Sequence, residues 1–184
     1  MPKINVLSKH TADLIAAGEV VERPASAVKE LVENSIDAGA TSVTVEIQNG
    51  GISYIRITDN GCGISREDIK NAFLPHATSK IADESDLNSI MTLGFRGEAL
   101  ASISAVSRVD ILTKTADEPF GTRYVIEGGT EKLLDDAGCP NGTTIVVRDL
   151  FYNTPARMKF LKKNVSEANA VADVLDRMAL SHPE

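Results

Sequence analysis

Ala25, Ala27, Val28, Leu31, Val32, Ile36 and Ala38 fall on one broad apolar arc when successive residues are turned by about 100°, which predicts an amphipathic helix over 24–37. Pro24 suits its first turn, where a missing N–H removes no bond, and Gly39 suits its end. A shorter helix is expected over 8–17, broken by Gly18. The period then becomes alternating. Residues 42–48 place Val43, Val45 and Ile47 on one face, and residues 52–58 set Ile55 and Ile57 opposite Tyr54 and Arg56. Between them Asn49-Gly50-Gly51 is a hairpin signal. A short helix over 66–73, a polar stretch of weak periodicity over 75–97 and a helix over 98–106 follow. Further strands are expected at 108–114, 122–127 and 143–148, punctuated by Gly128-Gly129 and Asn141-Gly142, before a last helical region that opens at Asn153-Thr154-Pro155 and runs to 180. Helices and strands in blocks, without βαβ alternation, predict an α+β two-layer sandwich: a mixed, mostly antiparallel sheet covered on one face by helices.

Composition narrows the function. The 184 residues, 42% hydrophobic and 24% charged, suit one globular domain over 1–184. A net charge of -7 argues against a free-standing nucleic-acid binder, although Arg157, Lys159, Lys162 and Lys163 form a local basic cluster that reads either as a solvated helix face or as a DNA contact. Cys62 and Cys139 lie in no Cys-x-x-Cys pair and are expected as reduced thiols, and the three histidines are scattered rather than set at metal-ligand spacing. No stretch approaches the ~20 apolar residues that span a bilayer, so no membrane partner is expected. The end at His182-Pro183-Glu184, just after a helix, reads as a domain boundary.

Three short segments could carry chemistry. Glu30 and Asn34 are four apart and stand one above the other at the edge of the apolar arc, with Asp37 beside them. Asp59-Asn60-Gly61-Cys62-Gly63-Ile64 puts an acid at a strand end, followed by glycines that allow close backbone approach. Gly94-Phe95-Arg96-Gly97-Glu98-Ala99 leads glycines into a helix, an arrangement that exposes N–H groups to phosphate. Each alone also reads as an ordinary helix face or glycine turn. The chain has no Gly-x-x-x-x-Gly-Lys-Ser/Thr run, and Gly61-Cys62-Gly63 lacks the third glycine of a dinucleotide fingerprint.

In order and spacing, Glu30-x-x-x-Asn34, Asp59-x-Gly61-x-Gly63, Gly94 to Ala99 and Gly142-Thr143-Thr144 resemble the ATPase superfamily of gyrase, heat-shock chaperones, histidine kinases and MutL. The longer runs Ile15 to Val21, Glu33 to Ala40 and Asp149 to Arg157 are similar to the MutL mismatch-repair proteins, and the likeness covers essentially the whole chain.

The resemblance implies a Bergerat-type ATP-binding fold and a magnesium-dependent ATPase. Glu30 matches the general base that orients the attacking water, and Asn34 matches the magnesium ligand. Asp59 matches the acid that accepts from the adenine amino group, with Thr144 as its supporting partner through water and Gly63 and Ile64 close to the base. Asp37 and Ala38 line the site. Residues 75–97 match a lid, with Thr78 and Lys80 at its start and Gly94, Phe95, Arg96, Gly97, Glu98 and Ala99 offering phosphate donors. The family implies an ATP-driven homodimer whose closure signals to DNA, through the full-length protein, and to a mismatch-recognition protein of the MutS type. It supplies a phosphate-binding lysine from a following domain, so weak or no hydrolysis is expected of this stretch alone. The wording near Ala16 to Gly39 reads as bacterial and hence cytoplasmic. Two other functions remain in view: an ATP-sensing interaction module with negligible hydrolysis, and another member of the superfamily such as a kinase or topoisomerase ATPase.

Overall fold

The computed structural model describes residues 4–80, 92–94 and 97–183. Phe95, Arg96 and 81–91, the middle of the expected lid, lie outside the described residues. The elements run α1 (Lys9–Val20), α2 (Pro24–Asp37), β1 (Val43–Gln48), β2 (Tyr54–Asp59), α3 (Ala99–Ala105), β3 (Arg108–Lys114), β4 (Gly121–Glu127), β5 (Thr130–Ala137), β6 (Gly142–Arg148), α4 (Pro155–Met158) and α5 (Asn164–Ser181). The six strands form one sheet in the order β1-β2-β6-β3-β4-β5. Its pairings are all antiparallel, where the sequence allowed a mixed sheet.

Alternation along the strands divides the sheet into two unlike faces. Ile55, Ile57, Val109, Ile111, Tyr124, Ile126, Ile145 and Val147 are buried and meet Ala25, Val28, Leu31 and Val32 of α2 in one apolar core. The opposite face carries cross-strand ion pairs, Arg56 with Glu46 and Arg123 with Asp110, each at 2.7 Å. Helices therefore cover one face only, as the patterning predicts.

The structure departs from the expected elements, or adds to them, at five places. Helix α1 does not stop at Gly18 but continues to Val20. The Arg157 guanidinium lies across the helix there, donating to the carbonyls of Val21 (3.3 Å) and Leu14 (3.4 Å), and a Cβ on Gly18 would overlap it. Asn49, Gly50 and Gly51 all take positive φ, at 51°, 70° and 87°, which suits glycine, and the turn is also packed from outside: a Cβ on Gly50 would lie 2.7 Å from the Asn164 carbonyl of α5. Strand β5 was not expected, since as an edge strand exposed along most of its length it shows no alternation. The expected helix over 66–73 is a run of turns ending in a short 3-10 turn at Asn71–Phe73, and the final helical region is interrupted between α4 and α5.

Candidate active site

Helix α2 presents Glu30, Asn34 and Asp37 along one stripe. The Glu30 side chain is about a third exposed (31%), with Oε1 3.8 Å from Lys29 Nζ. One turn on, the Asn34 amide oxygen accepts from Lys80 Nζ at 3.1 Å. The same ammonium donates to Asp37 Oδ2 at 2.5 Å. Asp37 also accepts from two backbone N–H groups, that of Leu93 on Oδ1 (3.0 Å) and that of Gly94 on Oδ2 (3.1 Å). Its side chain is only 7% exposed and that of Lys80 20%, so this pair is screened from water. Burial pushes the Asp37 carboxyl up, but the Lys80 hydrogen bond, the two N–H groups and the ammonium charge outweigh it and hold it below its ordinary value.

Asp59 ends β2 on the helix-facing side of the sheet, in register with Thr143. Its Oδ1 accepts from the N–H groups of Gly61 (2.9 Å) and Thr143 (3.2 Å), and its Oδ2 from the Ser35 hydroxyl of α2 (2.9 Å). A carboxylate offers about four lone-pair positions, so among the described residues one direction is left for an incoming donor. Ser35 thus ties the strand-end acid directly to the helix that bears Asn34. A second chain of bonds fixes the following turn: Thr113 Oγ1 accepts from the Ile64 N–H at 2.8 Å, bonds Thr143 Oγ1 at 3.0 Å and donates to the Gly142 carbonyl at 3.1 Å.

Thr144 is not beside Asp59. It pairs with Thr58 in the ladder and donates to the Thr58 hydroxyl at 3.1 Å, on the face away from the helices. The side-chain period of a strand is two, so the residue standing with Asp59 is Thr143. Its neighbours Ile145 and Val147, both inward, were the signal that could have shown this. Ser35 was also missed, because a serine in an apolar arc reads as a gap in it.

The other expected site residues are placed as follows. Ala38 accepts the Cys62 N–H at 2.9 Å and so braces the turn after Asp59. Gly63 has φ +75°, and the neighbour a Cβ would overlap there is the Lys114 backbone. Thr78 Oγ1 accepts the Lys80 N–H at 3.1 Å, orienting the start of the segment. Gly97, at φ +62°, lets the chain cross the Ala77 carbonyl; Glu98, at the N-cap position just before Ala99, makes no capping bond and instead lies 3.2 Å from His76. In the basic cluster, Arg157 is spent on α1, leaving Lys159, Lys162 and Lys163 as the exposed cations.

Residues 22–128 match the family of histidine kinase-, DNA gyrase B- and HSP90-like ATPases, and the chain belongs to that family. Within it, the whole chain is 60% identical to the DNA mismatch repair protein MutL of Agathobacter rectalis and 58% identical to that of Caldanaerobacter subterraneus, over 28% and 31% of those proteins. The chain therefore spans under a third of the length of these relatives. Among solved structures, 89% of the chain superposes on 57% of the Aquifex aeolicus MutL ATPase domain complexed with ADP, at a TM-score of 0.69 and 37% identity. The fold and the sequence together define a MutL-like N-terminal ATPase domain.

Proposed function

We infer that this domain binds ATP with magnesium between α2 and the end of β2 and hydrolyses it, as the motor of a longer mismatch-repair protein. The observation that carries this reading is the meeting of two kinds of donor set across one hydrogen bond. Asp59, already held by Ser35, Gly61 and Thr143, keeps one acceptor direction for an adenine amino group. On the same helix as Ser35, the Asn34 and Asp37 oxygens are gathered on a cation. Guanine presents an oxygen where adenine presents its amino group, and a carboxylate repels it.

A magnesium ion fits this helix on chemical grounds: the amide oxygen of Asn34 and the carboxylate of Asp37 are hard ligands. Among the described residues no three His, Cys, Asp or Glu side chains form a metal cage, so phosphate and water would complete the coordination. The metal would neutralise phosphate charge. Glu30, one turn before Asn34, accepts a proton from water aimed at the terminal phosphate. In the full-length protein, ATP draws two copies together, and that closure signals to DNA and to a mismatch-recognition partner. Neither cysteine is in a disulfide, which suits a cytoplasmic setting.

The test is Glu30→Gln in a chain that continues into the next domain. Nucleotide affinity should stay within about threefold, while phosphate release falls by about 10²-fold or more. Equal release by variant and parent removes Glu30 from the role of base. Nucleotide-dependent dimerisation with no release in the parent itself would instead support the sensing module.

A further inference from the structure

We propose that the Lys80 ammonium and magnesium compete for the same two oxygens, Asn34 Oδ1 and Asp37 Oδ2, so that the metal of a bound nucleotide enters by displacing the lysine. This rests on the reading of the site given above. Two hard oxygens, Asn34 Oδ1 and Asp37 Oδ2, converge on one ammonium at 3.1 and 2.5 Å. That is the pair of protein ligands a hard divalent cation would find on this helix. Seen from the other side, one ammonium and the N–H groups of Leu93 and Gly94 converge on one carboxylate. That is a donor set suited to a phosphate oxygen. The ion pair is thus an internal copy of a metal–phosphate pair, with the charges carried by the chain itself.

Two observations separate this from an incidental surface ion pair. Asp37 and Lys80 are 7% and 20% exposed, where exposed pairs are wet and contribute little. Gly94 lies directly over them, its N–H on Asp37 Oδ2, with a Cβ position in close contact with Lys80 Nζ (3.3 Å) and in van der Waals contact with both acceptor oxygens (3.9 Å). Without metal, the Lys80 ammonium is the cation that stands on Asp37 as a phosphate arrives. Asn34 and Asp37 would hold a bound magnesium in the ammonium's place, leaving Lys80 free to turn toward the phosphate.

Calorimetric titration of ADP, with magnesium and with chelator, reads this exchange as the ratio of the two affinities. In Lys80→Met the resident cation is gone, so metal-free ADP binds worse while magnesium no longer has a competitor; the ratio should rise about fivefold over the parent. A Lys80 that only touches phosphate would weaken magnesium–ADP binding as well, so a fall in the magnesium titration, or an unchanged or smaller ratio, overturns the exchange. Should that variant fail to fold, a crystal structure of the parent with magnesium and ADP decides. Lys80 Nζ must then have left Asn34 Oδ1, and its retention there beside a bound metal overturns the proposal. A parent that binds no ADP at all would remove the nucleotide site itself, which is a different failure from an unchanged ratio.

Discussion

Asp59 holds three hydrogen bonds before any ligand arrives, and each fixes it from a different element: Ser35 from α2, Gly61 from the turn that follows, Thr143 from β6. A base-reading carboxylate must be rigid, because a freely turning one gives its hydrogen bond to water as readily as to adenine. Ser35→Ala removes the only side-chain donor of the three. It should cost about 1 kcal/mol of stability and weaken ADP binding, with denaturant midpoints and calorimetry as the readouts; unchanged affinity would mean that the two backbone donors suffice. Asp37 has a different signature, in pH. Its carboxyl is held below its ordinary range, so the folded chain binds that proton more weakly than the unfolded chain does. The stabilisation is complete above about pH 4, the unfolded value, and is lost as pH falls through the lower folded value. The difference in midpoint between the parent and Lys80→Met should therefore be full at neutral pH and narrow as pH falls below about 4, the unfolded value. A difference that persists unchanged to the acid end would contradict the assignment.

At the scale of elements, α2 is held in place from both ends. Arg23, its N-cap residue, donates through Nε (3.1 Å) and Nη2 (2.9 Å) to Glu167 of α5, a carboxylate only 2% exposed that also accepts the Lys162 N–H at 2.9 Å. At the other end Ala38 holds the Cys62 turn. Helix α1 is braced by Arg157, and this coupling joins two stretches far apart in the chain. Gly18→Ala must displace the Arg157 guanidinium from its two carbonyl contacts, and because that flexible side-chain end can move and alanine gains about 1 kcal/mol over glycine in a helix, the net loss should be at most about 1 kcal/mol. Arg157→Ala in the same chain should recover part of that loss, because the two positions share one space; strictly additive losses in thermal unfolding would deny the coupling. Such couplings mark the limit of what a sequence discloses. The period of α2 and the alternation of β1, β2, β3 and β6 are local, and they appeared within a residue or two of their positions. So did the stripe of Glu30, Asn34 and Asp37 and the strand-end position of Asp59. Gly18 misled because its reason, Arg157, lies in another element. Strand β5 was hidden because an edge strand wet along both sides has no pattern to show. Thr144 was preferred to Thr143 because a motif gives residue order, whereas the face of a strand is set by register.

The molecule as a whole is a sheet with one dry face, and the candidate site lies where that face runs out, between the helix layer and the ends of β2 and β6. The charged opposite face, with its ladder of Arg–Asp and Arg–Glu pairs, takes no part in it. The chain spans under a third of its relatives' length, and the residues proposed to face nucleotide all lie within it, while dimerisation and contact with DNA are proposals for the longer protein. The most direct test of the account is a crystal structure with a non-hydrolysable ATP analogue and magnesium. It should show the adenine amino group donating to Asp59 and the metal about 2.1 Å from Asn34 Oδ1, with Glu30 facing the terminal phosphate. A nucleotide bound elsewhere, with Asp59 and Asn34 still facing only protein and water, would contradict it.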